Sequence, residues 1–157
     1  MVTKYLIVFL VSMVPLMELR LAVPMAVGMG LDYWISLVVC VIGNMLPVPV
    51  IYLFARKVLV WGAGKKRVGK FFRFFLNKGE KAGQKLMAKA GRGGLFVALL
   101  LFVGIPIPGT GAWTGTLAAS FLNMGIKSTA GAVSLGVVMA GIIMGVGSHT
   151  ALHVFGL

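Results

Sequence analysis

Between Arg92 and Lys127 the chain runs for 34 residues without a charge, and the middle of that run reads Gly104-Ile-Pro-Ile-Pro-Gly-Thr-Gly111. As one helix the stretch would be about 51 Å long at 1.5 Å per residue, too long for a hydrocarbon core of roughly 30 Å. Two full crossings and a turn would need more than about 40 residues. Two prolines and three glycines in eight positions also forbid a continuous helix. A broken, re-entrant hairpin satisfies both the length and the breakers. Bare irregular backbone is not tolerated against lipid, so the break must be buried in protein or line a wet cavity.

The rest of the chain supports a membrane setting. Residues A, V, I, L, M, F, W, Y and C make up 59% of it, and only three residues are acidic: Glu18, Asp32 and Glu80. So few charges cannot cover a water-soluble domain of 157 residues, which excludes that class. The charge-free stretches 33–55 and 128–157 each fit one crossing. Residues 5–31 behave like the 93–126 stretch, with Pro15 and Pro24 flanking Glu18 and Arg20. The expected fold is an all-α membrane protein with two re-entrant helical hairpins plus transmembrane helices in an inverted repeat. It forms a single membrane domain over 1–157: hairpin plus span at 1–55, a basic segment at 56–92, hairpin plus span at 93–157. One crossing per half inverts the second half, as in many transporters with a midplane site. Met29-Gly-Leu-Asp32 and Met124-Gly-Ile-Lys127 are a weak echo of that repeat. The competing architecture is four plain spans with kinked first and third helices. No small-x-small cleavage site precedes Glu18, so the N-terminal apolar stretch reads as retained. The single cysteine, Cys40, excludes an intrachain disulfide.

Twelve of the fifteen basic residues lie between Arg56 and Arg92. Within 65–90, Val68, Phe71, Phe72, Phe75, Leu76, Ala82 and Leu86 share one helical face; Lys66, Lys70, Arg73, Asn77, Lys81 and Gln84 share the other. This patterning suits a helix in the membrane interface meeting anionic lipid. It also fixes orientation, because short basic loops stay in the cytoplasm. The first hairpin then opens from outside and the second from the cytoplasm. No separate soluble module accompanies the charge, so nucleic acid is not an expected partner.

Candidate binding residues cluster in the broken segments. Ionisable side chains at membrane depth are costly and point to function or to a buried partner. Glu18 and Arg20 are such a pair, close to Pro24. Two residues apart on a helix, they point about 200° away from each other, so they share a cavity only if the backbone breaks or both reach the other hairpin. Arg20 suits a phosphate or carboxylate. Glu18 is positioned to exchange a proton, since burial favours the neutral carboxyl. The alternative is a structural ion pair across the hairpins. Pro106, Pro108, Gly109, Thr110, Gly111, Trp113 and Thr114 form the second constellation. A half-helix starting near Thr110, with Thr110 as cap, would aim free amides at an anion. Small residues there could equally just permit close packing. Asn44, beside Gly43 and Pro47, is positioned to bond a hairpin's free backbone groups. His149 and His153 share a helix face but lack a carboxylate or thiol, so no metal site is expected. No hydrolase, phosphate-loop or dinucleotide pattern occurs, and neither enzyme activity nor a cofactor is expected.

The motifs Met17-Glu-Leu-Arg-Leu-Ala-Val-Pro24, Gly43-Asn-Met-Leu-Pro47 and Gly104-Ile-Pro-Ile-Pro-Gly-Thr-Gly-Ala-Trp-Thr-Gly115 resemble those of the prokaryotic small multidrug export protein family. That family is similar to a compact form of the DedA-like membrane proteins. The resemblance implies two re-entrant hairpins in inverted repeats and a place in the prokaryotic cytoplasmic membrane. It also implies carriage of polyprenyl-phosphate-like lipids or drug-like molecules, with proton coupling. The second hairpin here carries no charge, unlike the arginine-bearing hairpin of DedA relatives. Sequence thus leads to a multi-pass transporter of an anionic amphiphile or small drug-like molecule, acting as a homodimer among anionic lipids. The alternative is a non-transporting assembly or subunit protein whose hairpins pack against a partner.

Overall fold

The computed structural model describes residues 1–15, 17–65, 69–107 and 110–155, except for the side chains of 72, 75, 76, 78–80, 82, 83, 86, 87, 152, 153 and 155. Every regular element among them is a helix: α1 Val2–Met13, α2 Glu18–Gly28, α3 Tyr33–Met45, α4 Val48–Ala63, α5 Gly69–Gly104, α6 Ala112–Phe121 and α7 Ile126–Phe155.

Each break has a local cause. Val14 is extended (φ −74, ψ 130) because the ring of Pro15 disfavours helical backbone in the residue before it. Pro47 interrupts the helix between α3 and α4, with Pro49 near the start of α4, where a missing N–H costs nothing. Gly91, at φ 67 and ψ −176, bends α5 inside its 36 residues. Asp32 opens α3, its Oδ1 accepting the Ile35 amide at 2.9 Å.

Two helix ends are closed by one device. At the end of α2, Leu31 N–H donates to Ala26 C=O at 3.1 Å and Gly30 N–H to Val27 C=O at 3.0 Å, with Gly30 at φ 70. At the end of α6, Met124 N–H donates to Ala119 C=O at 3.0 Å and Asn123 N–H to Ser120 C=O at 3.2 Å, with Asn123 at φ 57. Both are Schellman stops, filled by the two residue types that best accept left-handed backbone. They pair Leu31 with Met124, two positions off the echo of identical letters at Met29 and Met124.

Two segments are long and apolar enough to cross a membrane: Tyr33–Ala63, which takes in α3 and α4, and Ile126–Ala151 of α7. The first runs past Ala55, the end of the charge-free stretch, so Arg56 and Lys57 ride on α4. In contrast, α1, α2 and α6 have 12, 11 and 10 residues. At 1.5 Å per residue they are about 15–18 Å long and cannot cross alone. The α5–α6 interruption falls inside the Gly104–Gly111 run, where the breakers place it.

The core mixes leucines such as Leu19, Leu95 and Leu99 with many small and β-branched residues. Val8, Leu19, Ala22, Val23, Ala26, Cys40, Val103, Ala112, Ala119, Val133 and Val137 are buried, while Trp34 (67% exposed), Phe54 (67%) and Val146 (63%) face outward. Large apolar groups outside and small ones inside is the pattern of a protein solvated by lipid, where close backbone approach replaces the hydrophobic drive. Gly136 shows it: a Cβ there would lie 2.8 Å from Leu100 O and from Val103 Cβ. Gly43 likewise faces Phe9 O, at 2.8 Å, and the Ser12 hydroxyl. α2 sits centrally, packed on α1, α3 and α7; α6 packs on α4, α5 and α7. Lys70, Arg73, Asn77, Lys81 and Gln84 of the expected polar face are exposed, and so is Phe71 from the apolar one. The side chains of Phe72, Phe75, Leu76, Ala82 and Leu86, and all of Lys66 and Val68, lie outside the described residues.

Candidate functional site

α5 ends at Gly104 and α6 begins at Ala112, which leaves two helix ends at the break. The last carbonyls of α5 and the first amides of α6 have no intrahelical partners. The dipoles at such a break favour a positive group at the carbonyl end and a negative one at the amide end. Both come from α2.

Glu18 is buried, at 6% exposure. Its Oε2 accepts the Ala112 amide and its Oε1 the Trp113 amide, each at 3.1 Å. The carboxylate therefore caps α6, where the helix dipole favours negative charge. Arg20 takes the other side. Its Nη2 donates to Thr110 Oγ1 at 2.9 Å, Ile105 O at 3.3 Å and Val103 O at 3.4 Å. Its Nη1 donates to Ile107 O. A planar fork of donors fits this fan of carbonyls as a lysine's point charge would not. Each charge of the pair is thus met by groups of the α5–α6 break and the start of α6.

Glu18 reaches α6 at a conformational cost. It opens α2 at φ 47, a left-handed backbone that costs a non-glycine residue about 1–2 kcal/mol. Strain of this kind persists where the surroundings over-determine it, and it concentrates at functional sites. Gly111 makes the approach possible: a Cβ there would fall on the Glu18 carboxylate, 2.6 Å from its Cδ.

The result is a cavity of about 150 Å³ lined by Pro15, Glu18, Arg20, Thr110, Gly111, Trp113, Thr114 and Leu117. Six residues singled out from sequence, Glu18, Arg20, Thr110, Gly111, Trp113 and Thr114, meet here. Pro24 sits within α2, and Pro106 lies half-buried in the break; neither lines the cavity. Pro108 and Gly109 lie outside the described residues. Sequence reasoning missed Pro15 and Leu117, and it had no means of finding the carbonyls of Val103, Ile105 and Ile107.

One expected role is corrected. Thr110 does not cap the half-helix: its hydroxyl donates within the break, 2.9 Å from Ile107 O and 3.1 Å from Ile105 O. The helix starts one residue later, at Ala112, where Glu18 already holds the first amides. Thr114 assists, its Oγ1 accepting the Gly111 amide at 2.8 Å. Asn44 is buried, and its Oδ1 has no hydrogen-bond partner among the described residues. His149 packs edge-on against Tyr33, ring centroids 5.9 Å apart, and the His153 side chain lies outside the described residues. Among the described residues no group of three metal-ligating side chains occurs.

Trp113 and Leu117 have a second role. Their other sides line an apolar groove of about 360 Å³ between α4 and α6, with Ile51, Phe54, Ala55, Val58, Leu59 and Phe121. The Trp113 indole N–H is buried without an acceptor among the described residues, an unusual state for a donor. The cavity beside Glu18 and Arg20 and the apolar groove therefore share a wall whose side-chain donor, the Trp113 indole N–H, has no acceptor among the described residues.

A family model described as "Putative small multi-drug export protein" matches residues 18–143. The match takes in Glu18, Arg20 and the whole α5–α6 break. No curated protein and no solved structure matches the chain.

Proposed function

The chain belongs to the small multi-drug export protein family, whose description is that of a membrane transporter, and from that premise we propose that it carries an amphiphile across the prokaryotic cytoplasmic membrane. The cargo has an anionic or acceptor-bearing head and an apolar body: a polyprenyl-phosphate-like lipid carrier or a drug-like molecule of similar build. The observation that carries this reading is the shared wall of Trp113 and Leu117, with charges on one side and a purely apolar groove on the other. A head in the cavity would meet the Arg20 guanidinium and the Thr110 and Thr114 hydroxyls while the tail lies along α4 and α6.

The architecture in this reading is a DedA-like inverted repeat. α1 and α2 form one re-entrant hairpin, residues 92–104 and α6 the other, and Tyr33–Ala63 and α7 are the spans. Several spacings support it. The Schellman stops at Gly30 and Asn123 lie 93 positions apart, as do Gly43 and Gly136, the glycines against which the first arms pack. The residues they touch, Phe9 with Ser12 and Leu100 with Val103, are both offset by 91, so the second half holds two more residues between its first arm and its stop. The domain then divides at 1–55, 56–92 and 93–157, with 56–92 cytoplasmic by its charge. A homodimer would cover the hairpins, and Glu18 is the group placed to couple transport to protons.

One observation favours a second reading. Glu18 and Arg20 are both held by the chain's own backbone, which suits a structural clamp in a non-transporting subunit. Reconstitution separates the two. Wild-type protein in liposomes should speed the exchange of a fluorescent short-chain polyprenyl phosphate between leaflets, and Glu18→Gln should remove its dependence on a pH gradient. Exchange no faster than in protein-free liposomes, for that lipid and for drug-like dyes alike, rejects the transporter.

A further inference from the structure

A second cavity, of about 350 Å³, opens where α6 turns into α7. Its walls are Arg92 and Leu95 from α5, the Asn123–Gly125 turn, and Lys127 and Ser128 from the first turn of α7. Two cations from segments 35 positions apart in sequence converge on it, and among the described residues no carboxylate lines it. Among the described residues no hydrogen bond or ion pair engages either cation. The side-chain amide oxygen in the wall, Asn123 Oδ1, already accepts from Arg56. What remains on offer is a set of donors: the Arg92 guanidinium, the Lys127 ammonium, the Asn123 amide nitrogen and the Ser128 hydroxyl.

The matching turn in the first half is built differently. There Asp32 supplies a carboxylate that caps the Ile35 amide. The residue that opens α7 is Gly125, which has no side chain to do this. Cations snorkelling separately to headgroups would not need a common concavity; these two share one. Gly91, with its positive φ, stands immediately before Arg92, at the junction of the basic and apolar parts of α5. A change from basic to apolar sequence of this kind suits the level at which headgroups meet hydrocarbon.

We propose that this cavity binds a phosphate-type anion, either the headgroup phosphate of a membrane lipid or a free phosphate. The site is separate from the Glu18–Arg20 cavity and does not depend on transport. It needs only that the chain be inserted in a membrane.

The test uses purified full-length protein in a neutral detergent, titrated with dioctanoyl phosphatidic acid, with dioctanoylglycerol, and with inorganic phosphate as competitor. The expected result is one saturable phosphatidic acid per chain and none for dioctanoylglycerol, which has the same tails without the phosphate. Arg92→Gln and Lys127→Gln should each weaken binding about tenfold, while the exchange Arg92→Lys with Lys127→Arg retains it and guards against a folding artefact. Lys81→Gln with Lys85→Gln removes two charges elsewhere on α5, one more than either single variant, and should leave binding unchanged. Displacement by inorganic phosphate would mark free phosphate as sufficient; its failure to displace would mark the lipid as the source. Equal binding of dioctanoylglycerol, an equal loss in the Lys81 and Lys85 variant, or no saturable binding would each overturn the proposal.

Discussion

The carboxylate of Glu18 occupies the space in which a side chain at Gly111 would begin. This contact explains why a carboxylate on α2 can cap α6 at all, because its oxygens must come within hydrogen-bond reach of the amides that follow. Gly111→Ala should therefore displace the cap and destabilise the protein by about 2 kcal/mol, the cost of leaving a buried charge and two amides poorly paired. Gly28→Ala, where a Cβ meets nothing within 4 Å, is the control. Thermal unfolding in detergent should show a clear drop for the first and almost none for the second.

The strained backbone at Glu18 yields a second expectation. Asparagine accepts left-handed backbone better than other non-glycine residues and keeps one acceptor oxygen. Glu18→Asn should therefore unfold at a higher temperature than Glu18→Ala, although both lose the charge. The reverse order would mean that chain length at residue 18 matters more than φ.

Arg20 is bonded to three backbone carbonyls and the Thr110 hydroxyl. Arg20→Lys preserves the charge but not the fork, so it should lose about 1–3 kcal/mol. Thr110→Val removes one of those acceptors and should cost about 1 kcal/mol. Because the two side chains share a bond, the double variant should lose less than the two single losses combined. A double-mutant cycle on melting temperature checks this, and strict additivity would contradict it.

Insertion is checked by single-cysteine labelling in a Cys40→Ser background. With the repeat as proposed, cysteines replacing Lys4 and Asp32 react from outside and one replacing Lys127 reacts from the cytoplasm. Labelling at Lys127 from outside alone would favour four full spans.

Much of this was legible in the sequence because membrane chains use polar groups and helix breakers sparingly. The breaks at Pro15 and within Gly104–Gly111 are visible as prolines that no continuous helix accommodates. The meeting of Glu18 and Arg20 with Thr110, Gly111, Trp113 and Thr114 is visible as the cluster of residues that lipid would not accept. What stayed hidden was the identity of partners. The amides of α6 call for an anion, but nothing in their sequence says that the anion is Glu18. The acceptors of Arg20 are mostly carbonyls, which every residue carries. Thr110 was misassigned because a helix start one residue away changes which hydroxyl is the cap. The repeat register slipped by two at Met29 because a Schellman stop needs left-handed backbone, which Gly30 and Asn123 supply with different letters. The long-range bond from Arg56 to Asn123, and that from Tyr52 to the Met124 carbonyl, leave no sequence signal.

Transport itself is the most direct test. Liposomes carrying the wild-type chain and a fluorescent short-chain polyprenyl phosphate in both leaflets should expose the inner-leaflet pool to an external quencher faster than protein-free liposomes do. Trp113→Phe, which removes the unused indole N–H while keeping an aromatic wall, should slow that exchange without lowering the melting temperature. Quenching at the protein-free rate with folded wild-type protein, for the lipid and for drug-like dyes, would contradict the account.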